Sequence, residues 1–251
     1  MSGHSKWATI KRKKGAADAK RGQVFTRLTR EIVMAAREGG GDPDSNFRLR
    51  LAVEKARAQN MPKENIERAI KRGTGEGKDG VVYEEVMYEG YAPNGVAVLI
   101  ECVTENRNRT VAEVRHMLSR SGGTLGEGGS VGWQFKRVAY FTVPGDEALF
   151  DKVFEIAVEA GADDVSYDDG EIEITGPVES FKTLSDALRA NNLNPDEGGL
   201  RMVANQEMDL SVDDTLQVLR ALDNIEELDD VQNIYHNMRI SDEAMAALEE
   251  E

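Results

Sequence analysis

The sequence has very few of the residues that crosslink, anchor or catalyse. Among its 251 residues there is one cysteine, Cys102, and there are three histidines. A lone cysteine excludes an internal disulfide and is typical of a reducing compartment. No apolar run approaches the roughly 18 residues of a membrane span, and the basic start lacks the apolar segment of a secretory signal. We therefore expect a cytoplasmic protein that does not enter a membrane.

Motifs of the common enzyme classes are missing as well. The chain contains no GxSxG, HExxH or CxxC, and its histidines fall in three separate predicted elements. The glycine-rich stretch at residues 122–130 lacks the Gly-Lys-Ser/Thr of a P-loop, which favours a turn or hairpin over a nucleotide cradle. We predict a non-enzymatic protein with no cofactor and no metal. An enzyme assembled from residues distant in sequence is the alternative.

Charge is abundant but unevenly distributed. The whole chain has a formal net charge of −15. Residues 1–72 carry 18 Lys and Arg against 8 Asp and Glu, a net charge of +10, whereas residues 73–251 carry 13 against 38, a net charge of −25. Such asymmetry indicates an anionic partner for the basic part, and the acidic remainder would repel that partner. The sequence therefore predicts nucleic-acid binding through one end of the chain.

The candidate contacts start in residues 2–14, here called the basic arm, and continue into the first predicted helix. Lysine and arginine neutralise phosphates without reading sequence. The rings of His4 and Trp7 can stack on a base or lie against a ribose. A solvated basic surface is the alternative for the arm, and packing against the first helix is the alternative for Trp7. The predicted nucleic-acid-binding residues are His4, Lys6, Trp7, Lys11, Arg12, Lys13, Lys14, Lys20, Arg21, Arg27 and Arg30.

The first part of the chain has the pattern of a small helical domain. Apolar residues recur at steps of three and four over residues 24–36, as on one face of a helix. Pro43 is suited to the first position of a second helix, and Met61-Pro62 marks the start of a third. We predict a three-helix domain with its arm over residues 1–72, followed by a glycine-rich linker at 73–80.

Beyond the linker the pattern alternates between strands and helices. Residues 137–206 have the order β-α-β-β-α-β of a ferredoxin-like fold. Residues 81–136, with a last strand expected at 131–135, lack a helix and a strand that reappear at 207–240. The predicted fold class is therefore α+β and multidomain, with an N-terminal three-helix domain followed by two ferredoxin-like α+β sandwiches, one inserted in the other. Residues 241–251 are expected to be a frayed acidic tail.

A second candidate contact precedes a predicted helix that carries Val114 and Leu118. Polar and basic side chains there could hold a phosphate at the helix N-terminus, and a plain loop with an Asn cap explains them equally well. Thr110 with Glu113 fits a capping box, with Asn108 as the other candidate cap. The possible secondary phosphate contacts are Asn106, Arg107, Asn108 and Arg109.

Several segments resemble the YebC family, and the match runs from residue 2 to about 240. They include Ser2-Gly3-His4-Ser5-Lys6-Trp7, Gly39-Gly40-Gly41-Asp42-Pro43, Asn60-Met61-Pro62, Asn106-Arg107-Asn108-Arg109-Thr110 and Asp229-Asp230-Val231-Gln232-Asn233-Ile234-Tyr235-His236-Asn237. The resemblance implies a helical N-terminal domain plus two α+β domains. It also implies a regulatory role, since bacterial members are described as DNA-binding transcriptional regulators. A mitochondrial relative activates translation, and bacterial relatives are tied to ribosomes, including relief of stalling at proline-rich stretches.

We therefore predict a non-enzymatic nucleic-acid-binding regulator of gene expression, in the form of a DNA-binding transcriptional regulator that uses its basic N-terminal domain. The alternative is a translation factor bound to rRNA on the ribosome, which activates translation or relieves stalling. The acidic domains would contact a protein partner or set orientation, and we expect a monomer or weak oligomer. A pure protein-interaction scaffold would leave the basic arm unexplained.

Overall fold

The computed structural model describes residues 21–76, 82–168 and 170–249. In these ranges the chain forms helices at its N-terminal end, followed by two four-stranded sheets with helices packed on them. The helices are α1 (Arg21–Gly39), α2 (Phe47–Ala58), α3 (Lys63–Gly73), α4 (Arg107–Arg120), α5 (Glu147–Glu159), α6 (Phe181–Ala190), α7 (Val212–Glu226) and α8 (Asp242–Glu249). The strands are β1 (Glu84–Tyr91), β2 (Ala97–Thr104), β3 (Thr124–Leu125), β4 (Phe135–Pro144), β5 (Asp164–Asp168), β6 (Glu171–Gly176), β7 (Glu197–Ala204) and β8 (Val231–His236).

Helices α1 to α3 pack around one apolar core to which Ile32, Leu49 and Ile66 contribute. The end of α3 packs closely against α1 at Gly73. A Cβ at this position would lie 2.5 Å from the carbonyl oxygen of Val33. Only glycine permits that approach without a backbone shift. The predicted three-helix region is thereby confirmed.

The predicted start of the second helix at Pro43 is wrong. Residues 42–45 form a turn, and α2 begins at Phe47 after Asn46. The Asn46 side chain accepts a hydrogen bond from the Leu49 amide at 3.1 Å and donates to the carbonyl oxygens of Ala35 and Gly40, each at 2.8 Å. An Asn that caps one helix and also satisfies the end of the preceding helix outweighs the preference of a proline for a helix start.

Sheet I has the strand order β3-β1-β2-β8, and all its pairs are antiparallel. Its core contains Val98 and Ile100 of β2 together with Leu118 of α4 and Leu222 of α7. Sheet II has the order β5-β6-β4-β7, also antiparallel throughout. With α5 between β4 and β5 and α6 between β6 and β7, its element order is that of a ferredoxin-like fold.

These features confirm the predicted fold class, an α+β chain with a helical N-terminal region followed by two antiparallel sheets. The strands of sheet II lie between β3 and β8 in sequence, while β3 and β8 both belong to sheet I. This order is compatible with an inserted domain. The exact boundaries at residues 72, 81, 136 and 206 stay a prediction.

Two predicted elements are wrong. Residues 131–135 do not close sheet I, because Gly132–Gln134 forms a 3-10 turn and Phe135 begins β4, opposite Ala204 in sheet II. The acidic end is not frayed over the described residues, since it forms α8. Ala244 and Leu248 are spaced four residues apart, so both point from α8 into the core of sheet I. Burial of this apolar face stabilises α8, although the acidic residues of the segment had predicted a solvated tail.

The helical region is docked on both sheets. Arg37 Nη1 donates to the carbonyl oxygen of Tyr83 at 2.8 Å, and Gln23 Nε2 donates to that of Glu227 at 2.9 Å. On the other side, the Phe47 ring lies 5.8 Å from Phe141 in the core of sheet II. No helix within the described ranges is long and apolar enough to cross a membrane.

Candidate nucleic-acid interface

Most of the predicted nucleic-acid contacts belong to the first 20 residues. His4, Lys6, Trp7, Lys11, Arg12, Lys13, Lys14 and Lys20 lie outside the described residues. Arg21 is the first residue of α1, and Arg27 and Arg30 follow on the same helix. The described part of the candidate site therefore consists of helices α1 to α3 and the first turn of α4.

Arg30 points into the protein. It is 6% exposed, its Nη2 donates to Asp230 Oδ1 at 2.7 Å, and its Nη1 donates to the backbone oxygen of Asp229. The guanidinium is therefore occupied by internal acceptors. The prediction of Arg30 as a phosphate contact does not fit this placement, because a carboxylate 200 residues away in the sequence already neutralises it.

Asp230 is the centre of a buried polar cluster at the junction of the helical region with sheet I. Its carboxylate is 1% exposed and accepts hydrogen bonds from Arg109 Nη2 at 3.0 and 3.2 Å. The hydroxyls of Thr104 and Thr110 lie 3.0 and 2.6 Å from Oδ2. Burial alone would raise the pKa of Asp230, but hydrogen bonds from Thr110 and Arg109 and the charge of Arg30 hold it below its ordinary value.

The predicted loop at 106–109 is largely the first turn of α4. Asn106 is the N-cap, and its side chain accepts a hydrogen bond from the Arg109 amide at 3.1 Å. Neither Asn108 nor Thr110 caps this helix, since the cap Asn106 lies two residues before Asn108 and four before Thr110. The Asn106 amide donates a hydrogen bond to the Thr104 hydroxyl at 2.9 Å, which fixes the cap in place. Arg107 forms an exposed ion pair with Glu84 at 3.3 Å, and Asn108 is exposed.

Two separately predicted groups thus meet on one carboxylate. Arg30 from the N-terminal set and Arg109 from the secondary set both bind Asp230. Arg109 keeps 43% of its side chain exposed, so it alone of the two presents part of its guanidinium to solvent. The cluster ties α1, β2 and α4 to the residue that precedes β8, which makes it a structural junction.

Arg27 is half-buried and lies one turn before Arg30. Burial lowers its pKa, with an opposing contribution from Asp229 and a further lowering from Arg30. It lines a cleft of about 560 Å³ together with Glu31, Lys55 and Glu101. The mixed signs of those charges do not favour a polyanion in this cleft.

A second cleft of about 440 Å³ lies where the helical region meets both sheets. Its lining includes Arg48, Glu85, Glu101, Arg137 and Phe181. Glu85 shares a hydrogen bond with Glu101, and that bond, together with burial, raises the pKa of Glu85 to about 7. The paired acids offset the arginines, so this cleft also lacks the net positive charge of a phosphate site. The described residues contain no group of three or more His, Cys, Asp or Glu that could hold a metal ion.

Helices α2 and α3 present several cations to solvent. Arg57, Lys63, Arg68 and Lys71 are all exposed, and Lys63 is partly offset by Glu67 at 3.6 Å. The sequence analysis did not predict these residues as contacts. Lys63, Arg68 and Lys71 lie off the buried stripe of Ile66 and Ala69 on α3, and that spacing indicates a solvent-facing position.

The fold and the charge distribution define an acidic α+β protein with a cationic helical N-terminal region. Family models match nearly the whole chain, with "TACO1/YebC protein N-terminal domain" over residues 5–76 and "TACO1/YebC second and third domain" over residues 83–238. The chain therefore belongs to the TACO1/YebC family.

Its relatives match over their full length. A protein of Acidithiobacillus ferrooxidans is 53% identical over 249 residues, which is 99% of each chain, and one of Geotalea uraniireducens is 51% identical over 245 residues, which is 98% of each chain. Both are named "Probable transcriptional regulatory protein". The crystal structure of a conserved hypothetical protein from Aquifex aeolicus is similar with a TM-score of 0.80 and 41% identity, covering 90% of this chain and 93% of that one.

Proposed function

We propose that this protein is a non-enzymatic, nucleic-acid-binding regulator of gene expression, and that its target is DNA. The observation that carries the proposal is the reversal of charge between residues 1–72, with a net charge of +10, and the remainder, with −25. The names of the relatives support transcriptional regulation. The basic arm supplies the first grip on phosphates, and release of counterions provides the affinity.

The exposed cations of α2 and α3 extend the proposed surface beyond the arm. Arg57, Arg68 and Lys71 lie on the helical region and are open to solvent. Arg30 is excluded from the surface because Asp230 neutralises it. The acidic sheets would repel a polyanion over most of their surface, so they direct it toward the helical region and leave most of their own surface to a protein partner.

The second candidate function is a translation factor that contacts rRNA on the ribosome. One specific observation favours it, because the indole of Trp133 is exposed on the sheet region. Sequence-specific recognition of RNA commonly uses unpaired bases stacked on aromatic side chains, whereas the bases of duplex DNA are already stacked.

The test compares two variants that lose the same number of positive charges. In one, Lys11, Arg12 and Lys13 of the basic arm are changed to Gln. In the control, the exposed cations Lys152, Lys182 and Arg189 of the sheet II region are changed to Gln. Binding to duplex DNA and to purified ribosomes is measured at several salt concentrations, with each ligand also competing against the other.

We expect the arm variant to bind more weakly and to lose about 0.9 from the slope of log affinity against log salt for each phosphate contact removed from duplex DNA. The control should bind as the unaltered protein does. Equal affinities for all three proteins would refute nucleic-acid binding by the arm. Ribosome binding that survives excess duplex DNA would favour the translation factor, and displacement by specific DNA alone would favour the transcriptional regulator.

A further inference from the structure

Trp133 exposes an aromatic surface that the fold does not use. Its side chain is 73% exposed, the largest value among the exposed large apolar side chains of the described residues. It lies in the 3-10 turn Gly132–Gln134, between the glycine-rich segment and β4. An indole left in water forgoes the stabilisation of burial, which a partner that covers the ring would recover.

The segment that presents Trp133 is held in one conformation. The Glu89 carboxylate accepts three backbone hydrogen bonds, from the amides of Gly129, Val131 and Gly132, each at 2.7 Å. Burial would raise the pKa of Glu89, but these three donors outweigh it and lower the pKa below its ordinary value. The loop is therefore organised around a charged carboxylate, and that carboxylate is satisfied internally.

The orientation of the indole is also set. Trp133 Nε1 donates to the carbonyl oxygen of Ser130 at 3.2 Å, and the Trp133 carbonyl oxygen accepts from Asn205 Nδ2 at 3.0 Å. The hydroxyl of Tyr91, a side chain that is 37% exposed, approaches the same Ser130 carbonyl at 3.4 Å. Since the polar atom of the indole is already bonded within the loop, the ring offers its apolar faces to a partner.

Two cations follow Trp133 closely in the sequence. Lys136 and Arg137 follow Trp133 within four residues, and both side chains are exposed. Glu127 is the single acidic residue within residues 126–137. The rest of the chain beyond residue 72 is strongly acidic. A fixed aromatic face with a cation three residues along the chain is compatible with binding of a base and its phosphate in single strands.

We propose that Trp133, presented by the loop of residues 126–132, is a stacking platform for an unpaired base of a single-stranded nucleic acid, and that the exposed Lys136, three residues along the chain, contacts the phosphate. This inference rests on the proposed nucleic-acid binding, in the form of the RNA-binding candidate and not of duplex DNA. It adds a second contact, on the sheet region, to the contact made by the basic arm. The two contacts would engage separate parts of one strand or of one folded RNA.

The test uses the fact that the chain has only two tryptophans, Trp7 and Trp133. In a Trp7→Phe background, emission reports on Trp133 alone. The full-length protein is titrated with single-stranded RNA, single-stranded DNA of the same sequence and the corresponding duplex. Affinities are measured in parallel for W133A, W133F and the arm variant with Lys11, Arg12 and Lys13 changed to Gln.

We expect single strands to quench the Trp133 emission and the duplex to quench it less. W133A should bind single strands about 5- to 150-fold more weakly, as expected for loss of one stacked base, and W133F should recover part of that affinity because it keeps a ring. Circular dichroism and the thermal midpoint of W133A should match those of the unaltered protein, since the ring is exposed.

The other outcomes distinguish a failure of this inference from a failure of the proposed function. Binding that depends on the arm but is unchanged in W133A, with no quenching, would overturn this inference and leave the proposed function standing. If W133A, measured on purified ribosomes in the same series, loses ribosome binding without any loss on free single strands, base stacking on a free strand would be overturned. Absence of binding to every nucleic acid would overturn the proposed function and this inference together.

Discussion

Neutralising Asp230 by the substitution Asp230→Asn tests the junction between the helical region and sheet I. Asparagine keeps the size of the side chain and one acceptor oxygen, but it removes the charge that Arg30 faces at 2.7 Å. Arg30 and Asp230 are both almost fully buried. The substitution therefore leaves a guanidinium in the protein interior without its counter-ion.

The expected cost follows from the burial of each partner. Removing one member of a buried ion pair costs about 3–5 kcal/mol, because the remaining charge stays desolvated. Arg109 adds little to this figure, since its side chain is 43% exposed and water screens its attraction to Asp230 to below about 1 kcal/mol. We expect D230N to lower the free energy of unfolding by about 3–5 kcal/mol and R109Q by less than about 1 kcal/mol.

Urea unfolding followed by circular dichroism measures both values. Asp229→Asn is the matched control, because it makes the same chemical change at an exposed position one residue earlier, where the effect should stay within about 0.5 kcal/mol. The double variant R30M/D230N should lose less than the sum of the single losses. A cost for D230N below about 1 kcal/mol, or equal to that of D229N, would refute the assignment of a stabilising buried pair.

The same junction predicts acid sensitivity with a definite sign. Because the folded-state pKa of Asp230 is depressed, its contribution is present above the unfolded pKa of about 3.9 and is lost as the pH falls through the lower folded value. The unaltered protein should therefore lose more stability than D230N over this acidic range. Parallel loss in the two proteins would contradict this origin of the acid sensitivity.

The remaining predictions concern a carboxyl pair, the lone thiol and the C-terminal helix. The hydrogen bond with Glu101 raises the pKa of Glu85 to about 7. The contribution of Glu85 to the free energy of unfolding is therefore fully present below about pH 4.3 and is lost as the pH rises through 7. E85Q should flatten this part of the pH dependence of stability, measured by urea unfolding. Burial raises the pKa of Cys102 to about 12, so the thiol should react with a disulfide reagent only after denaturant is added, and reaction in native buffer would contradict its burial. L248A should cost about 2–5 kcal/mol because Leu248 fills the core under α8, whereas V158A at an exposed position should stay within about 0.5 kcal/mol in the same unfolding assay.

Local pattern predicted the elements whose signals lie within a few residues. The apolar stripe over residues 24–36, which includes Ile32, predicted α1, and the helix and strand expected within residues 207–240 are α7 and β8. The alternation of strands and helices predicted the α+β class. Helix starts were less predictable where two caps compete, as Pro43 and Asn46 do before α2, because the outcome depends on what the cap side chain reaches in the preceding helix.

The candidate site was harder to predict than the fold. A cation off the apolar stripe of a helix normally faces solvent, and Arg30 was interpreted in that way. The structure shows it buried because Asp230 approaches from 200 residues away, and nothing local to either residue announces that pairing. Trp133 was likewise passed over, since the glycine-rich stretch that precedes it predicts only a turn, whereas Glu89 organises that stretch from a different strand.

The sequence by itself determined the charge reversal, the order of helices and strands, and the family resemblance, because each depends on residue identity or short-range spacing. Only the tertiary structure decided which charges are available to a ligand. Long-range pairing neutralises Arg30 on Asp230, while backbone donors hold the Glu89 carboxylate and leave Trp133 in solvent. Availability depends on burial and on the partner that the fold supplies, and neither is a property of a residue within its own stretch of sequence.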